Sequence, residues 1–388
     1  MIESNVTLSI VMPCLNEAKT LASCIRKART YLLRQNFLGE IVVADNGSTD
    51  ESAEIAKSLG AKIITVSQRG YGSALQAGIR AACGTFIIMG DSDDSYDFES
   101  LDAFLEKLQD GYDLVIGNRY AGGIRASAMP PSHRYFGNPL LTLIGRMLFR
   151  SPVNDFYCGL RGFRRDAILR LGLSSRGMEF ALEMIVKSTI QGLRITEVPT
   201  TLSPDGRGRP SHLRSWHDGW RSLRFYLLLS PEALFLYPGF TLALLSALAS
   251  TTLVFTNVKI GSITFAQHTL IMTCTLLVVG IQAVCFWVFA KFVAIERNLL
   301  VPDPLFNIAR RLFNLEKCLL GGGILVIIGA TIACYGLFYW YNRSFGPVEG
   351  YTLIRIVCAA SVLVSVGFQL IFAAFFIVLL DQQPRHGE

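Results

Sequence analysis

The chain has 388 residues, of which 51% are hydrophobic and only 17% charged, and its formal net charge is +6. This composition is too apolar for an ordinary soluble protein. The positive charge suits an anionic membrane surface or an anionic ligand better than specific nucleic-acid recognition. The nine cysteines are scattered without a Cys-x-x-Cys pair, which excludes a disulfide framework and a zinc pattern.

The apolar residues are concentrated in the C-terminal part of the chain. Residues 1–225 carry most of the charge and predict a globular domain, whereas residues 234–380 are mostly apolar and predict membrane spans. The N-terminus lacks the basic segment and apolar stretch of a signal peptide, so we expect the globular domain to stay in the cytoplasm.

Short apolar runs alternate with segments of helical periodicity in the globular part. Strands are predicted at residues 8–12, 40–44, 62–66, 85–89 and 113–117. Helices are predicted at residues 17–35, 51–59, 70–82 and 98–109. Because strands that alternate with helices form a parallel sheet, we predict an α/β fold whose ligands bind at the carboxyl ends of the strands.

Two carboxylates directly follow the fourth predicted strand. Asp91 and Asp93 are two residues apart, so they can converge on one hard cation, such as Mg²⁺ or Mn²⁺. A lone Asp-x-Asp pair is more often a solvated turn, but Pro13 to Glu17 and Asp45 end two other strands of the same sheet. A nucleotide-sugar diphosphate would fit this edge, with Asp45 accepting a hydrogen bond from the base or ribose.

Arginines recur in the predicted loops, and a guanidinium group is well suited to hold phosphate. The candidates are Arg119, Arg134, Arg161, Arg207 and Arg209. Residues 121–135 are predicted to form a mobile loop, and residues 204–214 form a basic, glycine-rich segment. Each arginine alone is more often a surface residue, so the argument depends on their recurrence.

Three further helices are predicted before the first span. The apolar helix 139–149 is too short to cross a bilayer, so it is either a membrane-surface helix or a buried core helix. The helix 177–191 carries Glu179 and Glu183 on one face, where they are candidates for contacts with sugar hydroxyls. The helix 213–229 mixes arginines with aromatic residues, which is typical of a helix at the headgroup level of a membrane.

Four apolar spans are predicted, each long enough to cross a bilayer: residues 233–256, 267–291, 318–341 and 353–380. The connection 291–317 is rich in lysine and arginine, and the positive-inside rule places it in the cytoplasm together with the C-terminus. Ionisable residues are almost absent from the spans, which favours anchoring over transport.

Membrane anchoring suggests what the acceptor could be. A lipid phosphate monoester is presented at the bilayer surface and is already anionic near neutral pH, so it needs no strong general base, unlike a sugar hydroxyl. The sequence shows no obvious catalytic histidine, which agrees with such an acceptor.

Five runs of the sequence also resemble a known family, over about residues 7–215. They are IVMPCLNE at 10–17, DNGSTD at 45–50, Gly70 to Gly78, GDSD at 90–93 and GNRY at 117–120. Together they resemble the family 2 glycosyltransferases of the GT-A fold. The sequence is most similar to the polyprenyl-phosphate glycosyltransferases, the group of the dolichyl-phosphate mannose and glucose synthases.

The resemblance implies a mainly parallel, Rossmann-like GT-A domain, and the apolar spans predict an all-α transmembrane domain of four helices after it. The predicted organisation is a GT-A domain at 1–212, a juxtamembrane amphipathic helix at 213–232, the transmembrane domain at 233–380 and a cytoplasmic tail at 381–388. The implied enzyme inverts the anomeric centre as it moves a hexose from a donor of the UDP-glucose or GDP-mannose type. The acceptor would be dolichyl or undecaprenyl phosphate at the cytoplasmic membrane face, with Mg²⁺ or Mn²⁺ as cofactor and a homo-oligomer as a possible assembly.

The resemblance also implies roles for individual residues. The nucleotide site would comprise Pro13, Leu15, Glu17, Asp45, Gly70, Asp91 and Ser92. Asp91 and Asp93 would flank the metal and the diphosphate. Arg119 and Arg134 would hold the lipid phosphate, and the loop with Arg207 and Arg209 would close over diphosphate and acceptor. Independently of the resemblance, Glu179, Glu183 and Arg161 are candidates for contacts with sugar or acceptor.

Two positions depart from the family pattern, and two other functions stay open. Leu15 stands where the family often has Tyr, and Ser95 stands where many members have Gln. A processive polysaccharide synthase would need a Gln-x-x-Arg-Trp motif, which residues 213–216 match only in part. A non-enzymatic partner in lipid-sugar flipping would need no intact site, and the three aspartates at 45, 91 and 93 argue against it.

Overall fold

The computed structural model describes residues 7–207, 215–297, 299–348 and 351–381. The chain folds into two compact units, Met1–Tyr226 and Leu227–Glu388. The first unit contains a seven-stranded sheet, and the second contains the long apolar helices.

The sheet of the first unit is mainly parallel. Its strands are β1 (Leu8–Cys14), β2 (Gly39–Asp45), β3 (Lys62–Thr65), β4 (Phe86–Met89), β5 (Leu114–Asn118), β6 (Arg161–Arg164) and β7 (Ile195–Pro199). They lie in the order β3-β2-β1-β4-β6-β5-β7, and only β6 runs antiparallel to its neighbours. The predicted α/β fold with a mainly parallel sheet is therefore confirmed. β6 lies within residues 155–165, which the sequence predicts as a loop and a strand, and β7 is an additional strand.

Helices connect the strands of this unit. They are α1 (Leu21–Arg34), α2 (Ser52–Ser58), α3 (Tyr71–Ala81), α4 (Asp102–Gln109), α5 (Arg119–Gly122), α6 (Asn138–Phe149), α7 (Arg165–Arg170), α8 (Phe180–Ile190) and α9 (Ser215–Leu228). The first four lie within the predicted helices or close to them. The predicted loop 121–135 instead contains the end of α5 and the start of a π-helical turn, His133–Gly137, that leads into α6.

Continuous apolar runs explain the central strands. All seven residues of β1 and the last five of β2 are buried, as expected for parallel strands covered on both faces. β1 was predicted to stop before Pro13, but it continues to Cys14. Its pairing with β4 ends at Val11 opposite Met89, so Pro13 lies where β1 has only β2 as a neighbour, a position that tolerates a missing N–H.

The second unit contains four helices that are long and apolar enough to cross a membrane: Glu232–Phe255, Gln267–Glu296, Leu315–Tyr341 and Thr352–Leu380. Its elements are α10 (Tyr237–Phe255), the hairpin β8 (Val258–Ile260) and β9 (Ile263–Phe265), α11 (Gln267–Glu296), α12 (Pro304–Leu312), α13 (Leu315–Tyr341) and α14 (Thr352–Asp381). The four predicted spans are confirmed. The hairpin and α12 lie in connections for which no element was predicted.

Glycines allow the spans to pack closely. A Cβ atom added at Gly322 of α13 would lie 2.7 Å from the carbonyl oxygen of Gly367 in α14. One added at Gly280 of α11 would lie 2.6 Å from the backbone nitrogen of Ala243 in α10. Close backbone approach at small residues supplies the packing that stabilises helix pairs in lipid, where the hydrophobic effect between helices is absent.

The structure places Glu179 and Glu183 in different surroundings, although they were predicted to share one helix face. α8 begins at Phe180 instead of residue 177, so Glu179 precedes the helix. Arg221 Nη2 donates to Glu179 Oε1 at 2.6 Å, which ties this glutamate to α9.

Glu183 is buried and holds the segment that precedes α8. Its Oε2 accepts the backbone N–H groups of Ser174 at 3.0 Å and Ser175 at 2.8 Å, and Lys187 Nζ lies 2.8 Å from its Oε1. Burial acts to raise the pKa of Glu183, but the hydrogen bonds from Lys187 and the two N–H groups outweigh it and hold the pKa below its usual value. A sugar contact by Glu183 would require these donors to be released.

We expect Glu183→Gln to reduce the free energy of unfolding by about 1–3 kcal/mol at about pH 7.5, because Lys187 loses its carboxylate partner. The native pKa is depressed, so the stability that ionised Glu183 contributes is present above its ordinary pKa of 4.5 and is lost as the pH falls through the native value. Thermal unfolding in detergent should therefore show a gap between wild type and variant that narrows in acid. Glu54→Gln, on the exposed side of α2, is the control and should show no gap; an equal gap at every pH would contradict this account.

Candidate active site at the carboxyl edge of the sheet

Hydrogen bonds join the loops that follow β1 and β2. The backbone N–H of Asn16 donates to Ser48 Oγ at 2.9 Å, and Asn16 Oδ1 accepts the Thr49 N–H at 2.7 Å. Asp45 ends β2, accepts the Ser48 N–H at 3.2 Å and is almost fully buried. Leu15 is 41% exposed, so the loop after β1 presents a large apolar side chain to solvent. The two loops that carry the predicted nucleotide residues are thus joined by hydrogen bonds.

Asn46 extends this network to α3. Its Nδ2 donates to the carbonyl oxygens of Val66 at 3.2 Å and Gln68 at 2.8 Å, and its Oδ1 accepts the Gly70 N–H at 2.7 Å. Gly70 has a φ angle of 135°, and a Cβ atom there would lie 2.2 Å from the carbonyl oxygen of Arg176. Glycine is therefore required at this position to start α3, whether or not the residue also contacts a nucleotide.

The acidic loop after β4 is tied to β1 and α1. Ser92 Oγ donates to the carbonyl oxygen of Pro13 at 2.6 Å, and Thr20 Oγ1 donates to the carbonyl oxygen of Ser92 at 2.8 Å. Asp94 adopts a φ angle of 62°, and its carboxylate lies 2.7 Å from Lys27 Nζ. These contacts fix the backbone around the two aspartates that flank Ser92.

Asp91 is held by Tyr71 on one side and by backbone on the other. The Tyr71 hydroxyl donates to Asp91 Oδ1 at 2.9 Å. A Cβ atom added at Gly159 would lie 2.5 Å from Asp91 Oδ2, so only glycine leaves room for this oxygen. Burial and then the negative charge of Asp93 raise the pKa of Asp91 to about 6. A nearby cation would favour the ionised form of such a carboxylate.

Asp93 lies beside a positively charged side chain, that of Arg207. Its Oδ1 accepts the Ser95 N–H at 3.1 Å and the Ser95 hydroxyl at 2.5 Å. The Arg207 guanidinium donates to Asp93 Oδ2, and its Nε lies 3.3 Å from Glu17 Oε1. The Gly206 N–H donates to the carbonyl oxygen of Asp93 at 2.9 Å. The basic segment predicted at 204–214 therefore begins directly over the acidic loop.

The residues present fit a cation that keeps open coordination positions. Among the described residues, no group of three or more His, Cys, Asp or Glu side chains is placed to hold a metal ion. Asp91 and Asp93 would supply carboxylate oxygens, and other ligands would have to come from a substrate or from water, as is usual for Mg²⁺ bound with phosphates. The guanidinium of Arg207 beside Asp93 and Glu17 shows that this position accommodates positive charge.

Arg119 lies in a buried ion pair. Its Nε and Nη2 donate to the two carboxylate oxygens of Asp155 at 2.7 and 2.8 Å, and the two residues are 6% and 0% exposed. Glu197 of β7 accepts the backbone N–H of Asp155 at 2.9 Å. A phosphate ligand would have to share the guanidinium with Asp155, so the predicted phosphate contact of Arg119 stays untested.

Arg161 and Arg134 make other contacts within the first unit. Arg161 is fully buried and donates to three backbone carbonyl oxygens, including that of Cys158 at 2.9 Å, so a ligand contact would require these bonds to break. Arg134 lies in the π-helical turn before α6, with its guanidinium carbon 5.3 Å from the centre of the Tyr135 ring. Arg209 lies outside the described residues.

Sequence reasoning missed Tyr71, Asp155 and Glu197. Tyr71 is flanked by Gly70 and Gly72, and an aromatic residue between two glycines at a helix start is a signal that could have identified it. Glu197 is a lone carboxylate within the short strand β7, which also sets it apart. For Asp155, no local pattern distinguishes a buried partner of Arg119 from a loop residue.

Two family models match the chain. The glycosyl transferase family 2 model matches residues 9–172, and the model of the C-terminal transmembrane region of family 2 glycosyltransferases matches residues 288–381. Among solved structures, the chain is similar to glucosyl-3-phosphoglycerate synthase from Mycobacterium tuberculosis, with 21% identity and a TM-score of 0.44 over 57% of this chain and 77% of that one.

Curated relatives match much of the chain as well. The low-salt glycan biosynthesis hexosyltransferase Agl6 of Haloferax volcanii is 36% identical over 97% of this chain and 89% of that protein. A dolichyl-phosphate hexose transferase of the same organism is 31% identical over 50% of this chain and 81% of that protein. The resemblance found in the sequence and the predicted enzyme class are thus confirmed. The chain belongs to the family 2 glycosyltransferases and is a transferase with an integral membrane part.

Proposed function

We propose that the protein transfers a hexose, with inversion, from a nucleotide-diphosphate sugar to a polyprenyl phosphate at the cytoplasmic face of the membrane. The observation that carries the proposal is the arrangement of Asp91 and Asp93 at the carboxyl edge of the sheet, with Arg207 over them, in a chain that also spans the membrane. Ligands of open α/β sheets bind at this edge.

The donor would lie along the loops that end β1, β2 and β4. Asp45 can accept a hydrogen bond from the ribose or base, and exposed Leu15 can cover an apolar face of the base. A divalent cation on Asp91 and Asp93 would neutralise the charge that develops on the leaving diphosphate. Ser95 fixes the orientation of Asp93, so this departure from the family pattern still serves the acidic loop.

Arg207 would exchange partners when the donor binds. Its guanidinium now neutralises Asp93 and Glu17, and two cationic groups cannot share Asp93 Oδ2 without repulsion. If Asp93 held a divalent cation, Arg207 would donate to the diphosphate instead, for which a guanidinium is a strong partner. The same guanidinium would thus neutralise either the two carboxylates or the diphosphate of the substrate.

The acceptor proposal combines charge and membrane attachment. A phosphate monoester is ionised near neutral pH and attacks without a general base. The relative named as a dolichyl-phosphate hexose transferase supports such an acceptor. Arg134 is a candidate phosphate ligand, because its π-helical turn leads into a helix with exposed apolar residues. The positive-inside bias of the connection between the second and third spans supports the cytoplasmic location.

Exposed apolar side chains favour a membrane-surface role for α6. Tyr135, Phe136, Leu143 and Met147 are each at least half exposed, which disagrees with the alternative of a buried core helix. Trp216 of α9 is 90% exposed. An exposed apolar patch next to arginines fits the boundary between headgroups and acyl chains. We therefore propose that this face of the first unit lies on the bilayer and brings the acceptor phosphate to the site.

A second candidate acceptor is a sugar hydroxyl, as a polysaccharide synthase would use. This acceptor would need a general base, and Asp91, which donor binding would use as a metal ligand, would have to take that role instead. The two acceptors are distinguished by offering polyprenyl phosphate and lipid-linked sugar to the same enzyme.

We expect membranes with the wild-type protein to convert polyprenyl phosphate and one nucleotide sugar into organic-extractable labelled lipid. Asp93→Asn should lower the initial rate by about 10²–10³-fold, because the diphosphate charge is no longer stabilised. Asp97→Asn, in the exposed turn that follows the acidic loop, is the matched control and should keep its activity. Transfer only to lipid-linked sugar, or an active Asp93→Asn protein, would contradict the proposal.

We also expect Arg207→Gln to bind Mn²⁺ about tenfold more tightly than wild type in the absence of nucleotide, because the cation no longer displaces a charged hydrogen bond. Electron paramagnetic resonance of free Mn²⁺ measures this affinity directly. Arg207→Lys should stay close to wild type because it keeps the charge, and Arg125→Gln serves as a control on the exposed surface. An unchanged or weaker affinity of the Arg207→Gln protein would refute the exchange of partners.

A further inference from the structure

Lys291 forms a buried ion cluster in the second unit. It lies near the end of α11 and is 5% exposed. Its Nζ lies 2.7 Å from Asp303 Oδ2 and also contacts Glu232 Oε1. Glu232 begins the first span and Asp303 precedes α12, so one ammonium group joins three separate segments. A buried lysine requires such partners, and loss of one leaves charge uncompensated.

The two carboxylate oxygens of Asp303 contact different groups. Oδ1 accepts the backbone N–H of Phe306 at 2.8 Å, which caps α12, and Oδ2 pairs with Lys291. Burial acts to raise the pKa of Asp303, but Lys291 and the Phe306 N–H hold it below its usual value. The start of α12 is therefore fixed in position relative to the end of α11.

α12 packs one part of its apolar arc against the spans. Phe306 and Ala309 are buried in a cluster with Val288 and Phe292 of α11 and Ile377 of α14. The guanidinium carbon of Arg310 lies 5.9 Å from the centre of the Phe292 ring. The helix is thus attached to the sides of α11 and α14 by its own side chains and by the Asp303 pair.

A second part of the same arc is exposed. Leu305, Ile308 and Leu312 are 47%, 55% and 63% exposed and recur at helical spacing, so they form one stripe beside the packed residues. Asn307 lies on the opposite side of the helix from this stripe, whereas Arg311, three residues after Ile308, borders the stripe. The nine residues of α12 are too few to cross a bilayer.

We propose that the exposed stripe of α12 inserts into the boundary between the headgroups and acyl chains of a phospholipid bilayer, where Arg310 and Arg311 bind headgroup phosphates. The bilayer is the occupant because α12 connects two helices that cross it, α11 and α13, and packs on the sides of two such helices, α11 and α14, so lipid already surrounds its neighbours. At this boundary the apolar side chains suit the acyl chains, and the neighbouring arginines suit the headgroup phosphates. The ion cluster of Lys291, Glu232 and Asp303 holds the helix in this orientation.

The test places a photoreactive diazirine amino acid at Ile308 or at Asn307 of the full chain in vesicles of phosphatidylcholine and phosphatidylglycerol. After illumination, mass spectrometry measures the yield of phospholipid adducts at each position. The proposal predicts a several-fold higher yield at position 308 than at position 307. Equal yields, or adducts at 308 that join the protein to a second copy or to another segment of the chain, would overturn it.

Asp303→Asn tests the orienting role of the ion cluster. Asparagine caps a helix as well as aspartate does, so this variant keeps the cap and loses only the ion pair with Lys291. The adduct yields at 308 and 307 should then become more alike, because α12 loses its fixed orientation. Full retention of the contrast would assign that orientation to Phe306 and Ala309 alone and would refute the role of the cluster.

Discussion

The first unit depends on an electrostatic constraint, the need of two adjacent carboxylates for a cation. Asp91 and Asp93 are held near each other by Tyr71 and Ser95, and their mutual repulsion contributes to the raised pKa of Asp91. Arg207 relieves part of this repulsion. The loops after β1, β2 and β4 are cross-linked by hydrogen bonds, so the repulsion cannot be relieved by separating the carboxylates. The fold therefore maintains a site that binds a positively charged group, and this group can in turn interact with an anionic substrate.

The nearly uncharged spans of the second unit are expected for helices that attach the protein to the membrane. These helices approach closely at glycines such as Gly322 and Gly280, which stabilises the bundle in lipid. The buried Lys291 is an exception among apolar side chains, and its partners tie the ends of the spans to α12. An acceptor that is itself a membrane lipid would explain why a transferase domain is combined with this unit.

Much of the fold could be predicted because buried parallel strands have a continuous apolar pattern, as in β1, and each ends where a polar segment begins. The antiparallel direction of β6 could not be predicted. It arises because residues 119–160, which connect β5 to β6, stay at the carboxyl edge of the sheet, so that the chain enters β6 from that edge. The contacts of individual side chains could not be predicted either. Arg161 and Glu183 resemble ligands in the sequence, but backbone groups outside their own strand or helix take up their hydrogen bonds. Asp91 and Asp93 could be recognised as site residues because other polar motifs of the sequence lie at the same carboxyl edge of the sheet.

The most direct measurement of the central claim is electron–nuclear double resonance of Mn²⁺ bound to the protein with a nucleoside diphosphate. The cation should show strong phosphorus couplings in the wild-type protein, because one ion would contact both the acidic loop and the diphosphate. The protein-bound signal should disappear in Asp91→Asn and Asp93→Asn proteins that remain folded. A bound cation without phosphorus couplings, or one that survives both substitutions, would contradict the account.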